Sequence, residues 1–215
     1  MPTLLTPLPL WAATFVLLAV GLSTLIYGLR GLPRGRPVRL VVGALLGVAL
    51  LATAALGAAL SLALHGWTRL GDEQTAALLT VNPAGKQRFD VTLRRPEGAD
   101  SVHRLQGDEL VVDAQIVRWA PGADRLGLHT AYRLVRIGAK YHGVMQDLTA
   151  PSSGDTLAKP TPVDLGGLLR RVGLLSHWIS LQPASATIAT VGRAATWELR
   201  ASPDTGAVAL VALPR

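Results

Sequence analysis

Two long apolar runs without a formal charge flank one short basic loop, and this feature constrains the fold more than any other. The runs cover residues 10–29 and 40–64. At about 1.5 Å of rise per residue, each helix would be about 30 Å long or longer, which matches the hydrocarbon core of a bilayer. The sequence therefore predicts a transmembrane helix hairpin within residues 1–68.

The loop at residues 30–39 predicts the orientation of this hairpin. Pro33 and Pro37 disfavour a continuous helix there. The charges of the loop are all arginines: Arg30, Arg34, Arg36 and Arg39. Basic loops stay in the cytoplasm, so both termini and the rest of the chain are expected in the periplasm of a bacterium, with the hairpin in its inner membrane.

Three other interpretations compete with this topology. A cleaved signal peptide at residues 1–30 would lack a basic start and a small-residue cleavage site. A soluble helical core disagrees with two uncharged runs of this length. An inverted hairpin, with the large C-terminal part in the cytoplasm, stays open.

Small residues recur four apart in the second run. They predict a helix-packing face made by Gly43, Gly47, Gly57 and Ser61. This face would meet the first span or a partner, unless it reflects only the abundance of glycine and alanine in membrane helices. Neither span holds an ionisable side chain, which argues against a pump or channel formed by this chain alone.

Composition excludes several other classes. The 215 residues include no cysteine, so disulfides, thiol catalysis and thiolate metal sites are excluded. More than half of the net charge of +7 comes from the arginines of the loop. The remaining charge is modest, and no nucleic-acid partner is expected.

In residues 69–215, long apolar runs give way to short segments in which apolar and polar residues alternate. Such segments are typical of half-buried strands. They predict a mainly antiparallel β domain, a barrel or a sandwich, with one amphipathic helix. The predicted strands are 75–81, 87–94, 102–106, 109–119, 130–139, 185–191, 194–201 and 207–213, with 140–148 as a continuation of the fifth.

The amphipathic helix follows Asp164, a plausible N-cap. Its apolar positions are Leu165, Leu168, Leu169, Val172 and Leu175. This face either covers one end of the β domain as a lid, or lies on the outer leaflet with Arg170, Arg171 and Trp178 at the headgroups.

No local motif predicts chemistry, a metal or a cofactor. The histidines His65, His103, His129, His142 and His177 lack metal-ligand spacing, although three of them, His103, His129 and His142, could converge. Asp108, Glu109 and Asp113 are an acidic group best explained by a turn and a solvated strand face. Arg118, Arg133 and Arg136 are either an anion-binding patch or cross-strand partners of those acids.

Several segments in order resemble a known group of proteins. They are Gly107-Asp108-Glu109, Val112-Asp113-Ala114, Trp119, Leu126-Gly127-Leu128, Tyr132-Arg133-Leu134 and Gly138-x-Lys140-Tyr141. The chain resembles short bacterial inner-membrane proteins that genomes label as cation/multidrug efflux pumps or multidrug transporters. The resemblance covers the whole chain, is best at 107–141, and assigns no catalytic or binding residue.

The first hypothesis is a non-enzymatic, membrane-anchored protein whose periplasmic β domain is an accessory or interaction subunit of a larger envelope complex. Its expected partners are membrane lipid and a membrane protein. The alternatives are a lipid or small-molecule carrier with an apolar cavity in the β domain, and a component of a multidrug efflux system. An enzyme is a fourth hypothesis. It is ranked last because no catalytic motif supports it.

Overall fold

Two long helices open the structure, which is a computed structural model. It describes residues 8–30, 37–70, 74–96, 99–123, 128–143, 147, 153–189, 194–202 and 207–213. Helix α1 is Leu8–Leu29 and helix α2 is Pro37–Ala63. Both are long and apolar enough to cross a membrane, and they coincide with the two predicted spans to within three residues.

The two helices pack closely because glycines bring their backbones together. A Cβ added at Gly43 would lie 2.5 Å from the Cα of Gly28, and one added at Gly47 would lie 2.8 Å from the Cβ of Leu25. Backbones this close let the two helices make many dispersion contacts with each other. Many of the larger apolar side chains of the two helices are exposed.

Strands and short helical segments follow the hairpin in the part of the chain that the structure describes. The strands are β1 Thr68–Arg69, β2 Gln74–Gly85, β3 Arg88–Arg94, β4 Ser101–Gln106, β5 Glu109–Trp119, β6 Ala131–Lys140, β7 Gly154–Thr156, β8 Ile179–Ala189, β9 Ala195–Ser202 and β10 Ala207–Ala212. Helix α3 is Leu165–Arg171, and a 3₁₀ helix covers Gly173–His177.

The strands form two antiparallel sheets with a common core. The first sheet has the order β1-β6-β5-β8, with β7 beside β6, and the second has the order β10-β9-β2-β3-β4. Alternate residues point inward, as in β3, where Phe89, Val91 and Leu93 are buried. Both sheets contribute to one apolar cluster, so we call this part of the chain the sandwich.

The prediction of a β-barrel was wrong. The sheets are not closed on each other: among the described strands, no backbone ladder joins β4 to β7 or β10 to β8. Side chains bridge the first of these edges instead, as described below. Of the two predicted architectures, the sandwich is the one that the shared core supports.

Several boundaries differ from the sequence prediction. Strand β8 begins at Ile179, six residues before the predicted start. The expected continuation of β6 ends at Lys140, and a carboxylate oxygen of Asp147 accepts from the backbone N–H of Tyr141 over 3.0 Å. Residues 144–146 and 148 lie outside the described residues. Strand β7 was missed because Gly154–Thr156 carries no apolar pattern.

Candidate functional site

The end of α2 enters the sandwich within a few residues. Leu64 and Trp67 follow the helix, both are fully buried, and strand β1 begins at the next residue. The indole Nε1 of Trp67 donates to the backbone oxygen of Ala63 over 3.0 Å. The helix and the first sheet therefore share one packed connection.

A second apolar cluster surrounds this connection, and we call it the joint. Its buried members are Leu60, Ala63, Leu64, Trp67, Val117, Leu128, Ala131, Leu165 and Ile179. They come from the end of α2 and the residues just after it, from β5, β6 and β8, from α3, and from Leu128 shortly before β6. Leu10, in the first turn of α1, packs against the same cluster. Both apolar helices thus contact the group of residues that joins α2 to the first sheet.

Arg133 of β6 covers the buried tryptophan. Its guanidinium carbon lies 5.0 Å from the centre of the Trp67 ring, and one of its NH groups donates to Gln115 over 3.3 Å. Burial lowers the pKa of Arg133 from its ordinary value, and the nearby carboxylate of Asp164 opposes this shift. A guanidinium keeps its proton in proteins, so Arg133 adds a cation–π contact to the joint.

The three arginines that were considered as an anion-binding patch have different neighbours in the structure. Arg133 lies over Trp67, Arg136 is in register with Asp113, and Arg118 is in register with Ser180 of β8. Glu109 is likewise opposite Lys140. Of the three arginines, Arg136 is therefore the one that lies opposite one of the acids considered from the sequence.

The amphipathic segment lies against the joint. Asp164 caps α3 as predicted, because its carboxylate accepts from the N–H of Gly167 over 2.6 Å. Leu165 is buried, and Leu168, Leu169 and Leu175 pack around it. Val172, at φ −113° and ψ 77°, interrupts the single helix that the spacing predicted.

The same segment leaves two large apolar side chains uncovered. Leu174 is 74% exposed and Trp178 is 60% exposed. Arg170 and Arg171 are exposed beside them in sequence. The predicted lid face therefore packs on the joint, while Trp178 does not belong to that face.

At one edge of the sandwich, side chains connect the two sheets. His103 of β4 lies 2.7 Å from a carboxylate oxygen of Asp155 through Nδ1, and 2.9 Å from the hydroxyl of Ser101 through Nε2. Ser153 accepts from the backbone N–H of Gln106 over 2.7 Å and donates to its carbonyl over 2.9 Å. We call these five residues the edge clasp.

The clasp can hold the edges of the two sheets together. Ser101, His103 and Asp155 are also connected in the order of the serine, histidine and aspartate of a serine hydrolase. The side chain of His103 is 12% exposed and that of Asp155 is 57% exposed. Sequence reasoning placed His103 on the strand 102–106 but left Ser101 outside it, and it had no signal for Asp155, which lies 52 residues after His103.

The remaining histidines and acids form no metal centre among the residues that the structure describes. Nδ1 of His142 lies 3.2 Å from a carboxylate oxygen of Glu109, and both side chains are partly exposed. The backbone oxygen of His129 accepts from Trp119 over 2.9 Å. The convergence of His103, His129 and His142 that the sequence left open is not seen in these contacts.

The predicted helix-packing residues lie between α1 and α2 or beside that interface. Gly43 meets Gly28, Gly47 meets Leu25, and a Cβ added at Gly57 would lie 2.6 Å from the hydroxyl of Thr14. Ser61 is buried and donates to the backbone oxygen of Gly57 over 2.9 Å. The glycines of this face therefore pack against α1 of the same chain.

The basic loop is described only at its ends. Arg30 follows α1, and the guanidinium of Arg39 lies 3.5 Å above the ring of Tyr27. Arg34 and Arg36 lie outside the described residues. The cation–π contact connects the two helices at the end where the loop joins them.

Comparisons with known proteins give no relative. No protein-family model matches the chain, and no curated protein or solved structure matches it. The functional argument therefore depends on the geometry of the joint, the hairpin and the clasp.

Proposed function

We propose that this chain is a non-enzymatic, membrane-anchored subunit of a bacterial envelope complex. The hairpin lies in the inner membrane, the loop at residues 30–39 is cytoplasmic, and both termini and the sandwich are periplasmic. The sandwich then presents its sheets to a membrane-protein partner at a fixed height above the bilayer.

The joint is the observation that carries this proposal. A tethered enzyme or ligand-binding domain needs only a flexible linker, whereas here Leu64 and Trp67 are fully buried between the helix end and the first sheet. A packed connection fixes the orientation of the sandwich relative to the helices. Fixed orientation is useful to a protein that docks several surfaces onto a larger assembly.

The hairpin supports the membrane placement. Phe15, Leu45 and Val48 are exposed on its surface although they are large and apolar. Such a surface is favourable against lipid tails and costly against water. The arginines of the loop support the direction of insertion.

The carrier alternative receives less support. Large side chains from both sheets, including Leu79, Leu110, Ile116 and Leu199, are fully buried in the shared core. A core filled in this way leaves little room for an acyl chain between the described strands.

Photocrosslinking tests the proposal directly, because a chain without cysteine accepts a single labelled position. A benzophenone is attached to Val102→Cys, an exposed position on the edge strand β4. The full chain is expressed at native level and irradiated in native membranes. We expect one discrete protein adduct. The partner protein in this adduct should also co-purify in stoichiometric amount with the unlabelled chain.

The lipid-facing position Val48→Cys is the matched control for labelling and expression. A second label is placed at Val211→Cys, an exposed position on β10. The subunit proposal would be contradicted if neither Val102→Cys nor Val211→Cys gave an adduct and the purified chain ran as a lone 22.6 kDa protein.

The connectivity of Ser101, His103 and Asp155 favours a second candidate function, a serine hydrolase. In such an enzyme the serine attacks an ester carbonyl while the histidine takes its proton. A fluorophosphonate probe tests it: labelling lost in Ser101→Ala and in His103→Gln supports a hydrolase. Absence of labelling in the intact chain leaves the clasp as a structural contact.

A further inference from the structure

We infer that the 3₁₀ helix at Gly173–His177 and the adjoining Trp178 form an interfacial anchor that inserts Leu174 and Trp178 into the outer leaflet. We call these two residues the anchor pair. This inference deepens the proposed function and rests on its placement of the hairpin in the membrane. It adds a second attachment, through the sandwich, to the attachment through the two helices.

Position is the first argument. The leucines of this segment pack against the joint, which also holds the end of α2 and contacts Leu10 in the first turn of α1. The outer ends of both helices are therefore next to the segment. If α1 and α2 span the bilayer, the segment lies at the level where hydrocarbon gives way to headgroups.

Exposure is the second argument. Among the described residues beyond the hairpin, the large apolar side chains that are most exposed are Leu174, Val102 and Trp178. Two of these three lie on one short segment beside the helix ends. Exposure to water at both positions is unfavourable, and burial in the boundary region of a leaflet removes that cost.

Residue type is the third argument. Tryptophan favours the membrane–water interface because its ring is apolar and its N–H is polar. The exposed Arg170 and Arg171 lie in the last turn of α3, just before the anchor pair. Arginines near an inserted apolar pair can bind lipid phosphates while their stems contact the leaflet surface. The occupant that fits this combination is the surface of the membrane that holds the hairpin.

Depth measurement by spin labelling tests the anchor in the full chain. Nitroxide is attached to single cysteines at Leu174, at Val48 and at Val102, in proteoliposomes of phosphatidylethanolamine and phosphatidylglycerol. Accessibility to oxygen and to a water-soluble nickel chelate then gives the depth of each label. All three native side chains are exposed, so each label should be tolerated by the fold.

We expect the label at 174 about 5–10 Å below the phosphates, with the label at 48 deeper and the label at 102 in water. The variant Trp178→Cys should give a depth similar to that of 174. A label at 174 as accessible to nickel as the one at 102, while 48 stays in the bilayer, overturns the anchor and leaves the membrane placement intact. A label at 48 in water overturns the membrane placement and the anchor together.

Discussion

The guanidinium carbon of Arg133 lies 5.0 Å from the centre of the Trp67 ring, where β6 of the sandwich meets the end of α2. Trp67 is fully buried, and its N–H is used by Ala63. The pair joins a strand of the first sheet to the buried tryptophan of the joint. It gives a physical reason why the sandwich and the apolar helices should behave as one body.

Replacing Trp67 should weaken the whole connection. We expect Trp67→Ala to destabilise the chain by about 3–5 kcal/mol, because a large buried ring leaves a cavity. Thermal unfolding in mild detergent measures the effect. The matched variant Trp178→Ala removes an exposed ring and should cost much less, so equal losses from both would contradict the description of the joint.

A larger side chain at Gly43 should weaken the packing of α2 against α1. In Gly43→Ile the new Cβ meets the backbone of Gly28, and overpacking of this kind costs about 1–3 kcal/mol. A lowered unfolding midpoint of the helical signal in detergent measures it. Ala52→Ile changes an exposed small residue of the same helix and should leave the midpoint almost unchanged. If the two variants behave alike, the backbones do not approach closely at Gly43.

The edge clasp should control local opening of the sandwich. We expect Asp155→Asn to speed amide hydrogen exchange in β4 and β7, because it weakens the charged partner of His103. The global loss should be about 1 kcal/mol or less, since Asp155 is largely exposed. Val102→Ala, on the same strand and pointing outward, is the control. Exchange that rises equally in β4 for both variants would show that the clasp does not hold this edge.

Acid should weaken the second sheet through Glu198. Hydrogen bonds from Arg200 and from Thr75 lower the pKa of Glu198 below its ordinary value of 4.5. The folded state therefore binds its proton less readily than the unfolded chain. The resulting stability is present above pH 4.5 and is lost as the pH falls through the lowered pKa.

Unfolding midpoints between pH 7 and pH 3 measure this contribution. The variant Glu198→Gln should be less stable than the parent at neutral pH and should lose less stability on acidification. An unchanged pH dependence in Glu198→Gln would show that this carboxylate does not contribute.

Local pattern predicted most of the elements. The uncharged runs predicted both helices, and strict alternation predicted β5 at Glu109–Trp119 to the residue. Strand β7 was missed because its pairing with β6 depends on long-range contacts and not on apolar alternation. The choice between barrel and sandwich depends on whether distant edges pair, which alternation alone does not encode.

The candidate site was harder to predict for the same reason. Asp164 was identified because a cap is a local feature. The contact of Arg133 with Trp67 joins residues far apart in sequence, and neither has a distinctive local motif. Ser101 is only two residues from His103 in sequence, whereas Asp155 becomes its partner only when the sheets pack together.

The central claim is that the sandwich lies on the periplasmic side of the membrane. Cysteine accessibility tests this claim most directly. Single cysteines at Val102 in the sandwich and at Gly35 in the predicted cytoplasmic loop are treated with a membrane-impermeant maleimide in bacterial spheroplasts. We predict that the cysteine at 102 reacts in intact spheroplasts and the one at 35 reacts only after lysis. The reverse pattern would place the sandwich in the cytoplasm and contradict the account.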